Sequence, residues 1–106
     1  MTQGDRLEKR HIFEWDLDMD HRAILEEFLE LLAGRNVKIR TESMGGGGGG
    51  LCEIKDSYVF FLDSESGSYE SALQAARAVL RILEDPESIF LRPAVRDFLD
   101  RVKEMD

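Results

Sequence analysis

The chain is expected to fold as one α+β domain: a small three-stranded, mostly antiparallel sheet packed with helices, in the order helix-strand-strand-strand-helix-helix. Three observations predict it. Apolar residues recur at helical spacing in three segments, and they alternate with period two from Val37 to Thr41. The segment YVFFLD is apolar on both faces, as a central strand must be. The length of 106 residues suits one domain, and it buries enough surface to fold without a metal or disulfide.

Residues 1–14 read as a polar arm, and 15–106 as the domain. Ile12, Phe13, Trp15 and Leu17 are available to dock back onto it. The first helix is DLDMDHRAILEEFLELLAGRN. Asp18 or Asp20 caps its free amides, and acids suit the positive end of its dipole. Ile24, Leu25, Phe28, Leu31 and Leu32 make its apolar stripe. Gly34 supplies the stop, where a left-handed residue carries no Cβ to clash.

In NVKIRTESM, Val37, Ile39 and Thr41 alternate with Lys38 and Arg40, which predicts a half-buried strand, placed at a sheet edge. LCEIK and YVFFLD follow as two strands joined at a tight turn at Asp56-Ser57. That phase puts Cys52 and Ile54 inward and Glu53 and Lys55 outward. After the loop SESGS, Ser68 is the expected cap of YESALQAARAVLRILED. Its stripe is Leu73, Ala76, Leu80 and Leu83, with Gln74, Arg77, Arg81 and Glu84 turned out. Asp85-Pro86 ends this helix, because the residue before proline disfavours helical geometry. IFL is a short apolar crossover. Pro93 then opens the last helix, with Val95, Phe98, Leu99 and Val102 inward.

Between the first two strands runs MGGGGGG. A phosphate-binding P-loop needs Lys-Ser or Lys-Thr after its glycines and a helix to follow; here a strand follows. The dinucleotide fingerprint fails for the same reason. A domain linker is disfavoured by its flanks, since the piece before the glycines would be one helix and one strand with half a core. The run is therefore a mobile loop, 45–50, between two strands, costly to order because glycine loses the most backbone freedom.

Charge and composition narrow the function classes. The 22 acidic and 14 basic side chains leave a net charge of −8, which disfavours binding to phosphate backbones. Arg35, Lys38 and Arg40 cluster, but read as a solvated face. A single cysteine forms no internal disulfide and suits a reducing compartment. The polar start MTQGDRLEKRH lacks the apolar core of a signal peptide, and no apolar run reaches the roughly 20 residues of a membrane helix. The expected location is cytoplasmic, with no membrane and no nucleic-acid partner.

No catalytic, cofactor or metal site emerges. His11 and His21 lack the company that zinc requires. Asp16, Asp18, Asp20 and Glu27 occupy ligand positions of a calcium loop, but His21 stands where the sharp-turn glycine belongs, and helix capping accounts for the acids. Cys52 reads as a buried structural thiol, since it shares the expected inward face of its strand with Ile54. Trp15 reads as an anchor of the arm. Arg92 and Arg96 read as surface ion-pairing residues.

With GGLCEIKDSYVFFLD, then a helix, then IFLRPAVRDFL, the chain resembles a small family of bacterial proteins of no settled activity, over Leu32 to Leu99. The glycine-then-Leu51-Cys52 start and the FLRPAVRDFL end carry the resemblance, which implies no function. The element order is also similar to that of minimal zinc metallopeptidases, whose helix after the last strand carries H-E-x-x-H. The corresponding ALQAARAVLRIL has no histidine, so that chemistry is not expected.

The expected function is thus a non-catalytic domain working through protein contacts, with a protein partner or by self-association into a homo-oligomer. The alternative is a small enzyme or ligand-binding protein with a site under the glycine loop, using Cys52 with Glu53 or Arg40. Candidate contact residues are Gly45, Gly50, Cys52 and Arg40.

Overall fold

The computed structural model describes residues 20–105. The expected arm at 1–14, the docking of Ile12, Phe13, Trp15 and Leu17, and the readings of His11, Asp16 and Asp18 lie outside the described residues. The elements are α1 (His21–Gly34), β1 (Lys38–Glu42), β2 (Gly50–Ile54), β3 (Ser57–Asp63), α2 (Ser68–Ile82), a 3-10 turn (Pro86–Ser88) and α3 (Pro93–Met105). This is the α+β order expected.

Asp20 caps α1, its Oδ1 accepting from the Arg22 N–H at 3.1 Å. Glu27, the last position of the imagined calcium loop, lies inside α1 and pairs with Arg92 at 2.7 Å. Of the described acids, Asp20 caps the helix and Glu27 forms an ion pair. Its end differs from expectation: the left-handed residue is Asn36 (φ 68°), not Gly34. The N–H of Val37 bonds the Leu32 carbonyl and that of Asn36 the Ala33 carbonyl. This pairing closes the last turn while bringing apolar Val37 against Leu32, both buried.

The sheet is mixed, in the order β1-β3-β2. β2 runs antiparallel to β3, with Cys52 opposite Val59, and β1 runs parallel to β3, with Arg40 opposite Phe61. The apolar β3 is central and β1 lies at an edge, as its composition predicts. The hairpin turn is Lys55-Asp56, one residue earlier than expected, and both residues are left-handed (φ 51° and 67°). β2 also shows the phase opposite to that expected. Leu51, paired with Phe60, packs against the core, while Cys52 is exposed and Ile54 is 48% exposed. The buried structural thiol is therefore corrected: Cys52 pairs with Val59, which points away from the helices, and a strand apolar on both faces does not reveal in its sequence which side is inward.

Gly67, not Ser68, is the N-cap of α2. The deepest face of α2 is its small residues: Ser71, Ala72, Ala75, Ala76, Ala78 and Val79 are buried, whereas Leu73 and Leu80 flank them. Alanines without side-chain bulk let α1 and the sheet approach closely, so the largest apolar residues are displaced to the margins. In α3, Val95, Leu99 and Val102 are buried, with Phe98 packed partly against them. One core joins Phe28 and Leu32 of α1, Phe60 of β3 and Val79 of α2.

Candidate functional site

Because Tyr58, Phe60 and Leu62 of β3 face the helices, Val59 and Phe61 face the other way. Register then assembles the outer surface row by row. Arg40, Phe61 and Gly50 form one row, and Lys38, Val59 and Cys52 the next; Ile54 follows at the hairpin end. Among the described residues no helix packs on this face. The Arg40 guanidinium carbon sits 5.8 Å from the Phe61 ring centroid, and its Nη2 lies 2.7 Å from Glu42 Oε2. The positive charge is thus spread over an aromatic face and its own strand's carboxylate.

Three of the four candidate contact residues, Arg40, Gly50 and Cys52, share this surface. They do not form a reactive cluster. Arg40 and Cys52 are separated by β3, about 10 Å at the usual strand spacing. Glu53, in the opposite phase of β2, belongs to the other face. Gly45 is elsewhere, in the glycine turn, with open space where a Cβ would stand.

Sequence reasoning missed the residue that organises the glycine run. Asp63, 2% exposed, ends β3 directly beneath the loop. Its Oδ1 accepts from the backbone N–H of Met44 (3.0 Å) and Glu65 (2.9 Å), and its Oδ2 from Gly48 N–H and Ser66 Oγ (both 3.2 Å). Burial pushes this carboxyl up, but the Glu65, Met44 and Gly48 amides and the Ser66 hydroxyl outweigh it and bring its pKa down to about 2. Ser43 donates in addition to Glu65. The loop that composition reads as mobile is tied down at two amides.

The reason for glycine lies in topology. Since β3 inserts between β1 and β2, the connection between those two must cross over the end of β3. At Gly49 (φ +75°) a Cβ would stand 1.9 Å from the Phe61 carbonyl oxygen, where only glycine fits. The signal available in the sequence was the carboxylate closing an apolar strand, with amide-rich backbone nearby.

A groove of about 260 Å³ adjoins Asp63 on the helix side, lined by Arg22, Leu25, Glu26, Leu62 and serines including Ser64 and Ser71. A second, of about 220 Å³, lies between α1 and α3 at His21, Asp97 and Phe98, where His21 and Phe98 meet edge to face at 5.8 Å. The third, of about 350 Å³, lies at Arg35 and Glu84. None of these three is lined by Cys52, Arg40 or a loop glycine. Among the described residues no three His, Cys, Asp or Glu side chains gather as a metal would need. No helix among them is long and apolar enough to cross a membrane.

Arg92 pairs with Glu27, as a surface ion pair should. Arg96 does something else: its guanidinium donates to the carbonyls of Pro86, at 3.2 Å, and of Ile89. This braces the crossover and leaves Phe90 86% exposed. Comparison with protein-family models, curated proteins and solved structures returns no match.

Proposed function

We propose that the protein is a non-catalytic interaction domain of the cytoplasm that works through protein contacts, self-association included. The observation that carries this reading is the sheet itself. Helices pack on one face; the other presents Phe61, Cys52 and Ile54 bordered by Lys38 and Arg40, beside the edge strand β1. An apolar patch rimmed by charge suits a protein partner, and an edge strand offers unpaired backbone groups. The ligand-binding alternative near Cys52 has less support, because Glu53 faces away from it and the loop closes on Asp63.

The test is the solution mass by light scattering across a concentration series, for the wild-type chain and for Phe61→Lys. An assembly that Phe61→Lys weakens supports the outer face as the contact. A concentration-independent monomer whose outer face shows no protection from hydrogen exchange in cell extract would sink the reading.

A further inference from the structure

We propose that the groove at the start of α2 binds the carboxylate of a small aliphatic acid or of a chain end. Its donors are the Ser71 hydroxyl, the free amides of the first turn of α2, and Arg22. The site lies on the helix-covered side of the sheet and does not depend on the outer face.

Ser71 is the deciding residue. It is 3% exposed and lines the groove beside Asp63. Its N–H donates to the Gly67 carbonyl at 3.1 Å, but its hydroxyl meets no partner among the described residues. A serine inside a helix can bond back to the carbonyl four residues earlier, and this one does not. Among the described residues no fully enclosed side-chain oxygen lacks a partner. The exposure that the Ser71 hydroxyl keeps is therefore toward the groove it lines. Its buried neighbours Ala72 and Ala75 show that alanine satisfies the packing of this face. A hydroxyl there is unfavourable until something bonds to it.

The start of α2 adds donors of the right kind. The helix runs for 15 residues, and its cap, Gly67, has no side chain to offer the first amides. Among the described residues nothing accepts from the N–H of Ser68, Tyr69 or Glu70. Ser68 and Ser71 both line the groove, so this end of the helix opens into it. Free amides and the positive end of the dipole together favour an anion. Arg22, in the first turn of α1, lines the groove as well. Its guanidinium pairs with no carboxylate among the described residues.

Charge and shape narrow the class of anion. Glu26 and Asp63 also line the groove, and the two Asp63 oxygens are already occupied by four donors. Their negative charges oppose a doubly charged phosphate more than a singly charged carboxylate. Leu25, Leu29 and Leu62 supply an apolar wall for an aliphatic tail. At about 260 Å³ the groove is below the usual range of ligand pockets, which suits a few carbon atoms rather than a nucleotide.

The experiment titrates the ¹⁵N-labelled full chain with pentanoate, pentanamide and inorganic phosphate at fixed pH and ionic strength, following amide shifts. The expected result is a saturable shift of the Ser68, Tyr69 and Glu70 amides by pentanoate, with a dissociation constant on the order of 1 mM. Pentanamide should not saturate them. Ser71→Ala and Arg22→Gln should each weaken pentanoate about tenfold, the effect of one hydrogen bond to a charged group. Alanine is the better helix former, so Ser71→Ala should keep the circular dichroism and melting temperature of the wild type. A short peptide ending in a free leucine carboxylate is titrated in parallel. Tighter binding than pentanoate assigns the carboxylate to a chain end, and weaker binding to a free acid. The proposal is overturned by no saturable shift from either carboxylate, or by equal binding of pentanamide. It is overturned equally by phosphate binding more tightly than pentanoate, or by unchanged affinity in Ser71→Ala.

Discussion

Asp63 and Gly49 meet at the point where the chain crosses itself, and each has a measurable signature. Gly49→Ala brings a Cβ against the Phe61 carbonyl in a left-handed backbone, and should cost about 3 kcal/mol, the sum of a left-handed penalty and a packing clash. Gly47→Ala, whose Cβ would be 3.7 Å from its nearest neighbour, should shift the urea midpoint little. Equal effects of the two would contradict the close crossing. For Asp63 the folded pKa is below the unfolded one, about 2 against 3.8, so its contribution is complete above the unfolded value. It is lost as pH falls through the folded value, giving a window between about pH 4 and pH 2. Asp63→Asn should lower the melting temperature at pH 7 and flatten that acid limb; parallel acid limbs in the two proteins would count against the anchor.

At the scale of elements, the hairpin holds two non-glycine residues in the left-handed region. A two-residue turn of this kind favours Asn-Gly. Replacing Lys55 with Asn and Asp56 with Gly should therefore stabilise the fold by about 1 kcal/mol, a rise of roughly 4–8 °C in melting temperature for a domain of this size. No rise would mean that the turn is not strained. The alanine face of α2 makes the opposite prediction. Ala75 and Ala76 are fully buried. Ala75→Leu should destabilise by about 1–3 kcal/mol although it adds apolar surface, because a close-packed contact has no room for it. Thermal unfolding reads this directly. These elements also show where sequence patterns lose their hold. The helical stripes of α1 and α3 were legible because each has one apolar side. In α2 apolar residues surround most of the helix, so hydrophobicity alone favoured Leu73 and Leu80 over the alanines that sit deepest.

For the whole molecule, the open sheet face and the β1 edge set the expected behaviour in solution. If the contact runs through the charged border of Lys38 and Arg40, added salt should weaken the assembly, since at about 1 M the screening length falls to about 3 Å. An assembly strengthened by salt would instead indicate apolar contact through Phe61 and Ile54. Light scattering at two ionic strengths distinguishes them. The sequence by itself determined the α+β class, the element order, the central place of YVFFLD and the edge place of VKIRT, because burial leaves its period in every segment. It also marked Arg40, Gly50 and Cys52 before register placed them on one surface. Only the tertiary structure decided that β1 runs parallel to β3 and that Cys52 faces outward. It alone showed six glycines closing over a carboxylate. Those outcomes depend on which side of β3 the helices cover and on one chain crossing, contacts between distant residues that no local pattern records.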